Sequence, residues 1–287
     1  MDKELIVNLA PTGMIPTKQM TPHVPVEPSE IIEDVLACAE VGITMAHLHA
    51  REKDGRPAWN PDLYAEILTG IRKHRPDLIL GISTSGRDFQ EFEKRSAALF
   101  LTGDAKPDTG SLTTASLNFF GQASLNAPEM VQKLAKTMLE KGILAEVEVF
   151  DNGMVNYMKY LIKKGFLKPP YYVNMLFGNI ATAQATMAEV HAMVNQLPPD
   201  VTWSVAGIGD CQLQMNVTGM LFGNGVRVGL EDHIWFDLER TKLSTNKALV
   251  ERIKKIADEL GRPIMKPLDL RKKLNMHTEK GKYGFKV

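Results

Sequence analysis

Short β-rich runs alternate with longer segments of helical periodicity along almost the whole chain. This alternation constrains the fold more than any other feature, because repeated βαβ units build a parallel sheet. The chain contains about eight such units. The predicted strands are residues 5–9, 44–49, 78–83, 109–112, 145–150, 172–177, 201–205 and 225–230. The predicted helices are residues 28–40, 61–73, 128–141, 153–164, 182–196, 210–221 and 244–260.

Two architectures share this alternation, a closed (β/α)8 TIM barrel and a doubly wound open sheet. Polar residues such as His49 and Glu231 stand at the ends of predicted strands from both the beginning and the end of the chain. Only a closed barrel brings those strand ends to one mouth. The length of 287 residues also suits a barrel, which typically needs about 250 residues as one domain. We therefore predict a single α/β domain over residues 1–287, a (β/α)8 barrel with a short C-terminal tail.

The charge balance and the cysteines limit the range of partners and compartments. Lys and Arg total 34 and Asp and Glu total 34, so no global basic field would attract nucleic acid or an anionic membrane surface. Cys38 and Cys211 lack CxxC spacing, and the first residues lack the pattern of a secretion signal. No stretch approaches the roughly 20 apolar residues of a membrane span. The sequence therefore predicts a cytoplasmic protein that binds neither nucleic acid nor membrane.

The sharpest local signal is the segment AHLHAR at residues 46–51. Alternation along a strand places His47 and His49 on one face, where two imidazoles can chelate one metal ion. Imidazole nitrogen suits zinc, and a catalytic zinc usually takes about three protein ligands and leaves a position open for substrate. The best third candidate is Glu231, at the end of the eighth predicted strand. The alternative is two histidines satisfied by backbone groups or water, but burying two imidazoles side by side without partners is costly.

Three residues near the same strand ends can form a proton-transfer group. Asp232 follows the proposed ligand, Arg227 stands four residues before that ligand, and Ser83 ends the third predicted strand. A carboxylate base acts best when a cation and a hydroxyl keep it ionised and oriented, and a metal lowers the cost of the enolate that it creates. The alternative is an ordinary ion pair between Arg227 and Asp232, with Ser83 in a turn.

Two further carboxylates and one amide are candidates for supporting roles. Glu146 and Glu148 alternate with valines in the fifth predicted strand, so both lie on one face of a buried strand and need partners. Glu148 is nearer the end of the strand that carries the site. For both, a direct role and a role in supporting a neighbouring group remain open. Asn118 can donate an amide from a βα loop or can form a turn.

These segments resemble the β-keto acid cleavage enzymes, the family that includes 3-keto-5-aminohexanoate cleavage enzyme. The likeness runs nearly from end to end of the chain. It rests on segments in a fixed order: TG at 12–13, HLHAREKDGRP at 47–57, ISTSG at 82–86, ASLNF at 115–119, EVEVFDNGM at 146–154, VAGIG at 205–209 and VRVGLED at 226–232.

The resemblance implies a barrel with one zinc ion per subunit, held by His47, His49 and Glu231. It implies a catalytic group of Ser83, Arg227 and Asp232. In the implied reaction a β-keto acid condenses with acetyl-CoA, the CoA is transferred, and cleavage gives acetoacetate and a new acyl-CoA. Zinc would withdraw charge from the enolate, so no organic cofactor is expected.

The resemblance also implies substrate contacts and an assembly. The residues expected to contact the substrate are Thr12, Met14, Ser85, Gly86, Ser116, Asn118 and Glu148. A homo-oligomer is expected, with a tetramer as the form that the family suggests. The basic tail is interpreted as solvated, with contact to a CoA phosphate as the alternative for its lysines, Lys266, Lys272, Lys273, Lys280 and Lys282.

One departure from the family concerns the substrate. In the member that acts on an amino substrate, the first loop carries a glutamate that meets the ammonium group, whereas this loop reads TGMIP at residues 12–16. Burying an ammonium group there without an anionic partner would cost binding free energy. We therefore expect a substrate side chain that is apolar, neutral or anionic, with Arg87 as an available partner for a carboxylate. Ser85 also replaces the glycine usual in the family's STGG, which leaves the loop shape open.

Two rival functions stay open on the sequence alone. A metal-dependent hydrolase of the amidohydrolase type also uses HxH on a strand. Such an enzyme takes additional histidines from later strands, and the later predicted strands here carry none. A non-catalytic barrel with structural zinc would need four protein ligands and no open position.

Overall fold

The eight-fold alternation builds a closed parallel barrel, as predicted. The structure, a computed structural model, describes residues 3–286. The strands are β1 (Ile6–Leu9), β2 (Met45–Leu48), β3 (Ile79–Ile82), β4 (Thr109–Thr113), β5 (Leu117–Asn118), β6 (Ala123–Ser124), β7 (Leu144–Val149), β8 (Tyr171–Phe177), β9 (Val201–Gly207) and β10 (Gly225–Val228). The barrel order is β1-β2-β3-β4-β7-β8-β9-β10, and β10 pairs with β1 to close it. The open-sheet alternative is therefore wrong.

Helices connect the strands around the outside of the barrel. They are α1 (Pro28–Val41), α2 (Pro61–His74), α3 (Phe92–Ser96), α4 (Pro128–Lys141), α5 (Asn152–Lys163), α6 (Met187–Val194), α7 (Gln212–Phe222), α8 (Asn246–Glu259) and α9 (Pro267–Lys273). Proline stands in the first turn of α1, α2 and α4, where its missing N–H costs nothing. None of the helices among residues 3–286 combines the length and the apolar character needed to cross a bilayer.

The sixth helix is shorter than the predicted range 182–196. Thr186 caps its first turn by accepting a hydrogen bond from the Glu189 amide at 3.3 Å. Gln184 donates to the carbonyls of Asn179 and Thr182 at 2.8 and 2.7 Å, which fixes the preceding residues as a loop. The polar residues before Thr186 therefore form a βα loop at the mouth, and the helix begins only at Met187.

The C-terminal tail closes the amino end of the barrel through its apolar residues, while its five lysines are exposed, as the solvated interpretation expects. Leu270, Leu274 and Phe285 pack against residues at the starts of the strands, among them Ile6 and Tyr172. The tail lysines therefore lie at the opposite end of the barrel from the HxH segment. This placement does not support the alternative that they contact a CoA bound at the predicted site of the same subunit, which stays a prediction.

A buried ion cluster fastens this tail to the barrel. Asp108, just before β4, accepts hydrogen bonds from Arg72 at 2.9 Å and from Arg271 at 2.8 and 2.9 Å. The backbone amides of Leu80 and Gly284 also donate to it, at 3.1 and 2.8 Å. Every oxygen of this carboxylate is thus satisfied within the protein.

Candidate active site

The two histidines of the HxH segment lie side by side at the carboxyl end of β2. Both are buried, and their Nε2 atoms are 3.2 Å apart. Glu231, which follows β10, brings Oε1 to 3.3 Å from Nε2 of His49. One potential ligand atom from each of the three residues lies within 4.8 Å of the others. Barrel closure thus brings together the three residues that the sequence predicted as metal ligands.

The first loop fixes the position of Glu231. Its backbone amide donates to the carbonyl of Ala10 at 3.2 Å. Gly13 has a φ of +62°, and a Cβ atom there would lie 2.4 Å from Cγ of Glu231. Buried Arg51 holds the loop by donating to the carbonyls of Gly13 and Pro16 at 2.7 and 3.0 Å. The TG pair at 12–13 therefore allows a close approach to the carboxylate that only glycine permits.

The chemistry of these donors fits a divalent metal ion. Oε2 of Glu231 is buried without a hydrogen-bond partner among residues 3–286. Nδ1 of His47 donates to Oε2 of Glu146 at 3.2 Å, which assigns the ring hydrogen to Nδ1 and directs the lone pair of Nε2 toward His49. Ring lone pairs and an unpaired carboxylate oxygen that converge in a buried space are stabilised by a cation. Nitrogen and oxygen donors of this kind suit zinc.

Glu146 lies beneath the histidines and is held by amides from two other strands. Asn8 on β1 donates to its Oε1 at 2.7 Å, and Asn174 on β8 donates to the same atom at 2.5 Å. Gly81 leaves space for this carboxylate, since a Cβ atom there would lie 3.0 Å from its Oε2. Burial opposes charge on both partners, but their attraction is greater: the pKa of Glu146 is lowered and that of His47 is raised to about 9. Glu146 therefore orients His47 and favours a cation, either a proton or a metal ion, at its ring.

Arg227 lies buried among three carboxylates. It donates to Glu148 at 3.0 Å, to Glu231 at 2.7 Å, and to both oxygens of Asp232 at 3.0 and 3.1 Å. Burial opposes its charge, but the three carboxylates are stronger and hold the pKa of Arg227 well above its ordinary value. Burial and the negative charge of Glu231 raise the pKa of Asp232, against the opposite effect of Arg227. The predicted Arg227–Asp232 pair therefore forms directly beside the candidate metal ligands.

These groups face one cavity at the mouth of the barrel, with a volume of about 720 Å³. Ser83 lines this cavity together with the predicted metal ligands and the Arg227–Asp232 pair. Its Oγ accepts a hydrogen bond from the Ser85 amide at 3.2 Å. Among residues 3–286 it makes no hydrogen bond to Arg227 or Asp232. The structure thus places the three predicted catalytic residues around one cavity, without direct contact between the hydroxyl and the acid.

The residues predicted to contact substrate divide into two groups. Met14, Ser85 and Glu148 line the cavity. Thr12 is buried in the first loop, and its Oγ1 has no hydrogen-bond partner within residues 3–286. These four residues belong to the mouth or to the loop that forms its wall.

The other three predicted contacts hold loops in place. Ser116 accepts a hydrogen bond from the Asn126 amide at 2.8 Å. Exposed Asn118 lies on β5, and its carbonyl accepts from the Asn179 side chain at 3.0 Å. At Gly86 a Cβ atom would lie 2.2 Å from the Leu125 carbonyl oxygen. The structure therefore places these residues in the packing of the hairpin β5–β6 against the neighbouring loops.

Sequence reasoning missed the amides around Glu146 and the role of Arg51. Asn8 stands between Val7 and Leu9 in a strand that is otherwise apolar. A lone polar side chain in a buried strand was the available signal, because such a group must find a partner. Arg51 belongs to the HLHAREKDGRP segment, but its partners are loop carbonyls, which no residue pattern reveals.

The fold and this site together define a class, the TIM-barrel enzymes with a candidate metal centre and an acid–arginine pair at the barrel mouth. The profile of the beta-keto acid cleavage enzymes matches residues 4–276. The chain belongs to this family.

Curated relatives cover nearly the whole chain. The 3-oxoadipate:acetyl-CoA acetyltransferase of Cupriavidus necator is 36% identical over 268 residues, which is 92% of each chain. The 3-keto-5-aminohexanoate cleavage enzyme of Fusobacterium nucleatum subsp. nucleatum is 31% identical over 278 residues, 96% of this chain and 99% of that protein. Among solved structures, the apo form of ObcA matches with a TM-score of 0.73 at 20% identity, over 88% of this chain and 65% of that one. This last likeness shows the fold alone.

Proposed function

We propose that this protein is a zinc-dependent acyltransferase that combines a β-keto acid with acetyl-CoA and releases acetoacetate and a new acyl-CoA. One observation carries the proposal: the candidate metal ligands and the Arg227–Asp232 pair face the same cavity. Such a site can bind a chelating keto acid and remove a proton from it without an organic cofactor.

His47, His49 and Glu231 would hold the zinc ion and leave a position open for substrate. When bound, the metal would withdraw charge from the keto and carboxylate oxygens of the substrate and so acidify the carbon between them. Glu146 keeps the ring of His47 in the ligating orientation.

Asp232 is the proposed base, because its carboxylate lies beside the ligands and is fixed by two hydrogen bonds from Arg227. It would take the proton from the carbon between the two carbonyl groups. Arg227 would keep the carboxylates of Asp232, Glu231 and Glu148 in place through its hydrogen bonds while negative charge shifts from Asp232 to the substrate. Ser83, on the wall of the same cavity, would donate its hydroxyl to a substrate oxygen.

The bond changes balance without a further reactant. The deprotonated carbon attacks the acetyl-CoA thioester, which forms a carbon–carbon bond and releases CoA thiolate. That thiolate then attacks the original keto carbon, and the bond between this carbon and the deprotonated centre breaks. The carbanion that leaves takes back the proton that Asp232 removed, which restores the carboxylate. The products are acetoacetate and the CoA thioester of the remaining acyl chain.

The relatives support this assignment through the reactions in their names, since one is an acetyl-CoA acetyltransferase of a 3-oxo acid and another a cleavage enzyme of a 3-keto acid. The rival readings have less support. The candidate cluster within residues 3–286 contains three residues, whereas a structural zinc site would take about four protein ligands. Among the described residues, no histidine from a later strand joins that cluster, as an amidohydrolase site would require.

An acetoacetate assay with metal-replete protein and a panel of β-keto acids tests the function. Wild type should form acetoacetate only when acetyl-CoA is present, and the double variant His47→Ala, His49→Ala should lose both bound zinc and activity. Stoichiometric zinc without turnover of any β-keto acid would refute the proposal and favour the hydrolytic alternative. We also propose that the protein is a cytoplasmic homo-oligomer. Size-exclusion chromatography with light scattering would test the expected tetramer, and cell fractionation would test the location.

A further inference from the structure

The side chain of Arg87 is the one arginine among residues 3–286 whose guanidinium makes no hydrogen bond or ion pair with the protein. All eleven arginines of the sequence lie within that range. Each of the other ten donates to at least one carbonyl or carboxylate oxygen. An arginine held away from bulk water without a partner is costly, so its retention points to a ligand.

The position of Arg87 is fixed by aromatic packing. It follows β3 in the loop that begins with Ser83, it is half-buried, and it lines the same cavity as the candidate metal ligands. Its Cζ atom lies 3.4 Å from the ring centroid of Phe119. Phe119 in turn meets Phe150 edge-on, with centroids 5.6 Å apart. Stacking occupies one face of the guanidinium and leaves its N–H edge for a planar anion.

The acids of the site are already committed to another cation. Glu148, Glu231 and Asp232 all accept hydrogen bonds from Arg227. Their charges favour the protonated form of Arg87, but burial is stronger and lowers its pKa. Arg87 therefore adds a further positive group to the cavity, and within residues 3–286 this group has no carboxylate of its own.

We propose that Arg87 binds a carboxylate at the far end of the β-keto acid side chain, so that the enzyme takes dicarboxylic 3-oxo acids. This inference rests on the proposed function, since it assumes that the β-keto end is held at the metal centre. A guanidinium edge binds a carboxylate through two parallel hydrogen bonds, a geometry that suits a fixed arginine. Met14 and Ile15 of the first loop line the cavity, and this loop contributes no acidic residue to it. A substrate with a cationic side chain would therefore find no anionic partner on this loop.

The nucleotide phosphates of CoA are a poorer match for Arg87. In CoA the long pantetheine arm separates those phosphates from the reacting thioester. Arg87 instead lies inside the cavity that holds the reacting groups. Arg240 at the same mouth is already paired with Asp210, at 3.0 and 2.9 Å.

A pair of substrates of equal length isolates the carboxylate. The acyltransferase assay would compare 3-oxoadipate with 3-oxohexanoate, in which a methyl group replaces the distal carboxylate. The variants are Arg87→Met and Arg87→Lys, with Arg240→Met as a matched control that removes a paired arginine from the same cavity. Zinc content and thermal midpoint would verify that each variant is folded and metal-replete.

We expect Arg87→Met to lower kcat/KM for 3-oxoadipate by at least about 100-fold, with a much smaller change for 3-oxohexanoate. Arg87→Lys should have a kcat/KM for 3-oxoadipate between those of wild type and Arg87→Met. Arg240→Met should change kcat/KM by the same factor for both substrates. An equal loss on both substrates would overturn the inference, because Arg87 would then bind a part that they share. An unchanged kcat/KM would overturn it as well.

The failure of the proposed function would look different. In that case wild type turns over neither substrate in the presence of acetyl-CoA. Calorimetric binding of 3-oxoadipate to wild type and to Arg87→Met then still decides the role of Arg87. Equal affinity of the two proteins would refute it, and binding lost only in the variant would support it.

Discussion

The two ends of the barrel each bury arginine and carboxylate groups, but the two clusters are completed differently. At the amino end, Asp108 receives hydrogen bonds from two arginines and two backbone amides, and the tail covers it. At the mouth, Arg227 is shared among three carboxylates, and one oxygen of Glu231 has no partner within residues 3–286. A network completed by the protein stabilises the fold, whereas one left open has capacity for a ligand. Substitutions at the two ends should therefore separate stability from activity.

The largest effect is expected at the mouth, from Asp232→Asn. The amide can still accept from Arg227 but cannot take a proton, so kcat should fall by about 1,000-fold. The free energy of unfolding should change by no more than about 1 kcal/mol, because Arg227 keeps Glu148 and Glu231 as anionic partners. Steady-state kinetics and denaturant unfolding measure the two quantities. Near-normal turnover would remove Asp232 from the role of base.

The opposite outcome is expected at the amino end, from Asp108→Asn. Breaking this cluster leaves Arg72 and Arg271 buried without an anion, which should lower the free energy of unfolding by about 3–5 kcal/mol. The folded fraction should keep its kcat, since the site lies at the other end of the barrel. Stability equal to wild type would contradict the contrast between the two ends.

Removal of metal should act on the mouth alone. If zinc completes the open cluster, chelation should lower the free energy of unfolding by about 3 kcal/mol when the metal had been present at about 100 times its Kd. The double variant His47→Ala, His49→Ala should show no such response. Thermal unfolding with and without chelator measures it, and an identical shift in both proteins would place the metal elsewhere.

The smallest effect is expected at Asp34 on α1, outside both clusters. Burial raises its pKa to about 6, although Asn246 and Lys18 favour the charged form. The folded protein thus holds this proton more tightly than the unfolded chain, so stability is lost as pH rises from about 4 to 6. Asp34→Asn should remove that loss, so above pH 6 its free energy of unfolding should exceed that of wild type by about 1 kcal/mol. This value is smaller than the pKa shift alone implies, because the residue is partly exposed and solvent screens its charge.

Denaturant unfolding of metal-free protein at pH 4.5 and 7.5 tests this sign. The stability difference between Asp34→Asn and wild type should grow with pH. A stability difference that shrinks between pH 4.5 and pH 7.5 would contradict the raised pKa. This comparison also shows how much of the pH dependence arises outside the two ends of the barrel.

Local periodicity was enough to predict the barrel strands, because a parallel strand buried on both faces has a continuous apolar signature. Even the fourth strand, predicted at residues 109–112, is found at Thr109–Thr113. The tail and the hairpin β5–β6 were missed because distant partners create them. Arg271 reaches Asp108 across the sequence, and Arg95 holds Asn126 beside the hairpin at 2.7 Å.

In the candidate site too, features that depend on a local pattern could be predicted and features that depend on distant partners could not. HxH is a local pattern, so the direction of both rings could be predicted from alternation along one strand. The choice between Glu146 and Glu148 could not, since both carboxylates face the same side of β7. Glu146 lies under His47 because Asn8 and Asn174, on other strands, donate hydrogen bonds to it. Glu148 instead accepts hydrogen bonds from Arg227 and Thr113.

Closure of the barrel between β1 and β10 has a consequence for biosynthesis. Two candidate ligands are encoded early, at His47 and His49, and the third arrives only at Glu231, after β10. A chain emerging from the ribosome therefore cannot present the complete set until most of it has been translated. An ion that arrives earlier would meet only two imidazoles, so the centre is expected to form only after β10 has closed the barrel and brought Glu231 to the histidines.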